Sequence, residues 1–356
     1  SLAHGADDLF VLDLATRRER ALTDDGWKAA GFTWSADSRH IFFSSNRGGA
    51  FGLWTVDTHA GGPPRQVSTG LGGVTFSRMS SDAQNRLAVE IPHGRVTLSR
   101  LGPSGGATDI ASSADSLWDP AVGPDGAVAY IAGASGAPEV WVAEPDGRIS
   151  RLTSLVASLL SRPAWSVDGQ TIAFLGVKGR QPQIYTVRRD GSQLRAVTSD
   201  TTDKYDPAMM ADGRIAYIER GPSGWRAMSV APGAAPQPLP GGDGWRSLRA
   251  GPDGRLYGTR NGGNTVLALG APRAVADVTG ADNWAVGPAG VYFVRQRPER
   301  RGWAIWLQPW SGPAREAADF PDAAHSLAVD PDGALYITQV RDDQIDLGLL
   351  SLTQGR

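Results

Sequence analysis

The chain alternates short apolar runs with turn-forming clusters along its whole length, and no stretch has a helical period. The clearest unit spans residues 162–199. Pro163 to Val167 reads as a short strand, and Asp168-Gly169 closes a turn in which Asp bonds nearby backbone and Gly accepts positive φ. Thr171-Ile172-Ala173-Phe174-Leu175 is a nearly unbroken apolar run, as in a strand covered on both faces. Gly179 and Pro182 interrupt it, and Gln183-Ile184-Tyr185-Thr186-Val187 then alternates. Arg189-Asp190-Gly191-Ser192 turns the chain again, and Leu194 to Thr198 forms an outer strand. The unit is therefore four antiparallel strands (A, B, C and D), with Asp-Gly turns joining A to B and C to D.

The A–B turn recurs eight times: Ser35-Ala36-Asp37-Ser38, Ser81-Asp82-Ala83, Gly123-Pro124-Asp125-Gly126, Ser166-Val167-Asp168-Gly169, Ala211-Asp212-Gly213, Gly251-Pro252-Asp253-Gly254, Gly287-Pro288-Ala289-Gly290 and Asp330-Pro331-Asp332-Gly333. Measured from 37 to 82, 125, 168, 212, 253, 289 and 332, the steps are 45, 43, 43, 44, 41, 36 and 43 residues. This period predicts an all-β propeller of four-stranded blades. Eight blades are expected, or seven if the short unit at Ala289 merges with its neighbours. Residues 7–24 read as strands C and D of a blade, and residues 326–352 as A, B and a third strand. Pairing these N- and C-terminal strands would close the ring and leave no open sheet edge. The whole of 1–356 is expected to be one domain, cut from a longer protein.

Composition narrows the chemistry. A net charge of −2 with no basic stripe argues against nucleic acid as a partner. The absence of cysteine excludes disulfides, thiolate zinc sites and a cysteine nucleophile. No apolar stretch is long enough to span a membrane. No helical pattern is present to form the strand–helix elbow of a serine hydrolase, there is no phosphate-binding loop, and the five histidines (His4, His40, His59, His93 and His325) are scattered. The chain is accordingly expected not to be an enzyme and to need no cofactor or metal. Asp200, Asp203 and Asp206 are the one carboxylate cluster that could hold Ca²⁺, but the spacing of a calcium loop is missing and a solvated loop is the plainer reading.

In a propeller the A strands line the central channel, so the loops entering them surround one mouth. These loops carry Trp27-Lys28, Trp118-Asp119, Ser161-Arg162, Tyr205-Asp206, Trp245-Arg246, Asn283-Trp284 and His325-Ser326. Flat rings beside charges suit a small polar ligand, a sugar or a peptide. Each aromatic taken singly is more readily explained as packing between blades. The charged neighbours Asp119, Arg162, Asp206 and Arg246 weigh toward a functional mouth, since packing would leave them unpaired. Such a ring is expected to work as a monomer, binding a small molecule or a protein partner.

The segments "WSVDGQTIAFLGVKGRQPQIYTVRRDGSQLRAVTS" (165–199) and "WSADSRHIFFSSNRGGAFGLWTVDTHAGGPPRQVST" (34–69) resemble the TolB-type propeller repeat, with its W-S-P-D-G turn, "IAF" strand, "IYxxD" strand and closing "LT". That repeat occurs in a periplasmic Pal-binding protein, in tricorn protease, in prolyl-oligopeptidase-like enzymes and in CadC-like membrane-anchored winged-helix regulators. The resemblance implies an extracytoplasmic sensory or interaction domain, most similar to the propellers of such regulators. A TolB-like protein-docking platform is the alternative, and a propeller hydrolase or lyase a more distant one. It carries over no individual residue.

Overall fold

The computed structural model describes residues 7–47, 51–67, 76, 78–102, 106–114, 116–133, 137–271, 274–278, 283–297, 303–320 and 324–352. The molecule is an all-β propeller built mainly of four-stranded antiparallel sheets, and the described residues contain no helix. The repeated turn is built as its residues dictate. Ser166 Oγ donates to Asp168 Oδ1 at 2.6 Å, the same oxygen accepts Gln170 N at 3.0 Å, and Gly169 sits at φ +65°. At the first copy Ser35 and Asp37 repeat these bonds, with Ser38 taking the left-handed position at φ +58°.

Five blades follow one another in the chain. Blade 1 is Leu117–Val122, Val128–Ala132, Glu139–Ala143 and Ile149–Arg151. Blade 2 is Leu159–Trp165, Thr171–Lys178, Gln181–Arg188 and Arg195–Ala196. Blade 3 is Asp203–Met209, Ile215–Gly221, Gly224–Val230 and Gln237–Asp243. Blade 4 is Arg249–Ala250, Leu256–Thr259, Thr265–Ala268 and Ala274–Asp277. Blade 5 is Trp284–Gly287, Gly290–Gln296, Trp303–Pro309 and Arg315–Phe320.

Blade 6 is assembled from both halves of the sequence. Ala324–Val329 pairs with the first half of a long strand, Leu335–Ser351. That half pairs with the second half of another long strand, Arg86–Leu101, whose far edge takes Ala107–Ser113. Each inner strand packs on the next around the ring, and that of blade 6 returns to blade 1. An apolar core fills each junction. Between blades 1 and 2 it holds Ile131, Val140, Leu160 and Phe174, and between blades 6 and 1 Leu98, Leu117, Tyr130 and Tyr336.

The remaining strands form a flanking lobe. Ala29–Trp34, His40–Ser45, Gly52–Asp57 and Arg65–Val67 make one four-stranded sheet. It packs through Phe42, Leu53, Leu87 and Val89 on Met79–Ser81, the first half of Arg86–Leu101 and the second half of Leu335–Ser351. A hairpin of Phe10–Leu12 and Glu19–Ala21 covers its other face, with Ile41, Phe43 and Val56 between.

Among the described residues the eight turn copies do not map onto eight equal blades: six inner strands pack one on the next around the ring, and the units at Asp37 and Asp82 begin in the lobe. The ring closure also differs from expectation. Phe10–Leu12 and Glu19–Ala21 pair with each other, and the strand that meets the C-terminal segment is Arg86–Leu101, because Leu335–Ser351 and Arg86–Leu101 both run straight through where a hairpin would bend them.

Candidate functional site

The inner strands of blades 1, 2 and 3 share one irregularity. Their pairing slips between Trp118 and Ala121, between Ser161 and Ala164, and between Tyr205 and Ala208. At each slip one residue takes a left-handed backbone: Asp119 at φ +50°, Arg162 at +57° and Asp206 at +46°. A proline follows in every case (Pro120, Pro163 and Pro207), where its missing N–H costs no ladder bond. A β-bulge re-aims the inserted side chain. Here it turns two aspartates and an arginine toward the channel while Trp118 and Tyr205, one residue earlier, point into the blades.

These side chains link blade to blade around the mouth. Asp119 N donates to Ser326 Oγ at 3.0 Å, and Arg162 N donates to Asp119 Oδ2 at 3.0 Å. The Arg162 guanidinium lies 3.8 Å from Asp119 and 3.5 Å from Asp206. Asp206 also receives Arg249 Nη1 at 3.1 Å and Leu248 N at 3.4 Å. The Arg249 guanidinium stands 5.1 Å from the Trp284 ring centre. Burial pushes the Asp206 carboxyl up, but Arg249 and Arg162 outweigh it and hold the group below the ordinary carboxylate range. Arg249 is shifted down by burial and by Arg162, with Asp206 opposing; an arginine stays charged nonetheless. The cavity beside these groups measures about 220 Å³ and is walled by Asp119, Arg162, Trp165, Met209, Arg249 and Trp284. It presents charges of both signs on a partly apolar wall, which suits a polar group carried on an apolar or peptide frame.

The structure brings Asp119, Arg162 and Trp284 to this cavity, Trp284 from within the core between blades 4 and 5, where it is 1% exposed, and sets Asp206 behind them against Arg162 and Arg249. The other residues picked from sequence lie elsewhere. Trp118 is half-buried in the core between blades 1 and 2 and donates its Nε1 to Leu160 O at 3.1 Å. Trp245 is 1% exposed in the core between blades 3 and 4, and its Nε1 donates to Gly241 O at 2.9 Å. Tyr205 packs its ring 5.2 Å from Trp225, with burial pushing its phenol up to about 12, and Arg246 lies over the same Trp225 at 5.5 Å. Asn283 precedes the inner strand of blade 5 and does not line the cavity. Trp27 and Lys28 belong to the flanking lobe, where Lys28 N donates to Asn46 Oδ1 and burial lowers the amine below its usual range. The side chain of His325 lies outside those described. Asp200 and Asp206 turn to different partners, Lys204 and the arginines, so the acidic cluster does not converge.

Arg249 was not among the candidates, although a signal for it exists. Counting six residues back from the turn aspartates of blades 1, 2, 3, 4 and 6 gives Asp119, Arg162, Asp206, Ser247 and Ser326. Counting four back in the same five blades gives Ala121, Ala164, Ala208, Ala328 and, in blade 4, Arg249, while the two units of the lobe give Thr33 and Arg78. A charged residue where its counterparts in the ring are alanine marks the position.

No family model matches the chain, and no curated protein matches it. Among solved structures it is similar to TolB from Acinetobacter baumannii, at 14% identity over 90% of this chain and 81% of that one, with a TM-score of 0.49. It is also similar to an oligogalacturonate lyase from Vibrio parahaemolyticus, at 12% identity over 94% and 97% of the two chains, with a TM-score of 0.37. A third is a virginiamycin B lyase from Staphylococcus aureus, at 10% identity over 73% and 93%, with a TM-score of 0.42. The expectation that the chain is not an enzyme is corrected by the presence of two lyases among these structures. None of the three is a CadC-like regulator, and the sensory role rests on the sequence resemblance alone.

Proposed function

We propose that the channel mouth docks a segment of a partner protein, with Arg162 at the centre of the contact. The observation that carries this reading is the chain of contacts running from Asp119 through Arg162 and Asp206 to Arg249, three of whose members (Asp119, Arg162 and Arg249) line the cavity. Arg162 stands between the carboxylates of Asp119 and Asp206, and its side chain is 22% exposed, so its guanidinium is reachable from the cavity. A carboxylate from a partner peptide pairs with the Arg162 guanidinium, while Trp165, Met209 and Trp284 supply apolar wall for the residues beside it. The reading places the chain outside the cytoplasm, in keeping with the TolB-type repeat.

The test is a displayed-peptide selection on the purified protein, followed by calorimetry with the selected peptides. Binders are expected to carry a carboxylate and to weaken at least tenfold on Arg162→Gln, with the melting temperature of the variant recorded alongside. Peptides that bind wild type and folded Arg162→Gln equally would refute the mouth as the docking place.

A further inference from the structure

Arg86–Leu101 and Leu335–Ser351 run 16 and 17 residues, longer than any other strand described. Each contains turn chemistry in its middle: Pro92-His93-Gly94 in the first and Arg341-Asp342-Asp343-Gln344 in the second. Proline in the interior of a paired strand removes a ladder donor, and Asp and Gly are turn formers. The two segments lie opposite each other, with Arg341 paired to Arg95 and Gln344 to His93, and the register slips between them. On the other edge of the first strand, Met79–Ser81 reaches only residues 87–89 and Ala107–Ser113 only residues 96–101.

The position of these segments is the telling feature. In blade 2 the link between strands B and C, Gly179-Arg180, falls 11 and 12 residues after Asp168; in blade 3 Pro222-Ser223 falls 10 and 11 after Asp212. Pro92–Gly94 falls 10 to 12 residues after Asp82, and Arg341–Gln344 falls 9 to 12 after Asp332. Both stand where the other units have their B–C hairpin. The straight course also leaves apolar surface uncovered. Ile345, Leu347 and Leu349, on one face of the second strand, are 60%, 83% and 63% exposed. In a propeller that face belongs against a neighbouring blade.

We propose that the two long strands exchange between two pairings. In the one described, they lie side by side and divide the chain into a six-strand mouth and a flanking lobe. In the other, each folds back at its turn segment. Residues 86–91 then pair with 95–101 between Met79–Ser81 and Ala107–Ser113, completing a four-stranded blade from consecutive strands. Residues 335–340 likewise pair with 345–351. The lobe strands Ala29–Trp34 and Met79–Ser81 then join the inner ring, and the mouth widens from six strands to eight. Gly94 is suited to both states. It does not adopt positive φ here, and a Cβ on it would meet Val340 Cγ1 at an ordinary 3.6 Å. In a three-residue hairpin loop the last position takes the left-handed conformation that glycine favours.

The chain has no cysteine, so introduced thiols are the only ones present. Val96→Cys with Val340→Cys reports the side-by-side pairing. Glu90→Cys with Val96→Cys reports the fold-back: six residues along one extended strand are about 20 Å apart, whereas the same residues face each other across a three-residue loop at about 5 Å. Both disulfides are expected on mild oxidation of the folded full-length chain, each double variant being checked by circular dichroism. Adding Gly94→Ala is expected to reduce the 90–96 disulfide at least threefold and leave the 96–340 disulfide unchanged. Absence of either disulfide in a folded variant would overturn the exchange, as would an unchanged 90–96 yield with Gly94→Ala.

Discussion

Asp206 shows why the charges at the mouth cannot be treated as surface decoration. It sits in a left-handed backbone that costs a non-glycine residue about 1–2 kcal/mol, and it holds two guanidiniums and a backbone N–H from the next blade. Because Arg249 and Arg162 hold its carboxyl below the ordinary value of 3.8, the folded state binds fewer protons than the unfolded state in that range. The stabilisation is therefore complete at neutral pH and is lost as pH falls through the lowered value. Asp206→Asn leaves Arg249 without its nearest carboxylate in a site where breaking a buried pair costs about 3–5 kcal/mol. Urea unfolding at pH 7 should show a loss of that order, and the gap to wild type should narrow below about pH 4. An equal gap at pH 7 and pH 3 would show that the carboxylate charge contributes nothing.

At the scale of the strand, the sequence was legible wherever period and turn chemistry agree. Thr171–Lys178 is buried as its apolar run predicts, and the Asp-Gly turns close as expected. The bulges were harder to see, because one inserted residue reverses which face every neighbour points to. For that reason Trp118 and Asp119, adjacent in sequence and both chosen for the mouth, go to different places. Trp118 and Trp165 bond across the junction, to Leu160 O at 3.1 Å and Ala121 O at 3.0 Å, and so fasten blade 1 to blade 2. In blade 4 the candidates Trp245 and Arg246 fall short of the inner strand, which begins at Arg249. The energetic consequence can be measured. Trp245→Ala empties a fully buried site and should cost about 3–5 kcal/mol, while Trp118→Phe forfeits one hydrogen bond and should cost about 1 kcal/mol. A Trp245→Ala variant within 1 kcal/mol of wild type in urea unfolding would remove that side chain from the core.

For the whole molecule, the repeat revealed the kind of unit and not how the units share strands. Period and composition are properties of each blade alone, whereas closure depends on whether two segments, Pro92–Gly94 and Arg341–Gln344, bend or run straight. Both courses satisfy the same apolar pattern, so the pattern cannot choose. The described course has a measurable signature in stability. Blades 1 to 6 are each flanked by apolar cores on both faces, while the Phe10–Leu12 and Glu19–Ala21 hairpin has two short strands and one covered face. Two-stranded sheets are marginal in water, and amides exchange through the cheapest local opening. Hydrogen exchange followed by mass spectrometry should find Thr171–Lys178 and Ile215–Gly221 among the slowest amides and the hairpin among the fastest. The two long strands belong to both bodies and should separate within themselves. Residues 96–101, inside a ring core, should be protected well beyond residues 345–351, whose outer face is open. Equal protection along the whole of Leu335–Ser351 would mean that the lobe opens only when the ring does, and that the two form one cooperative unit.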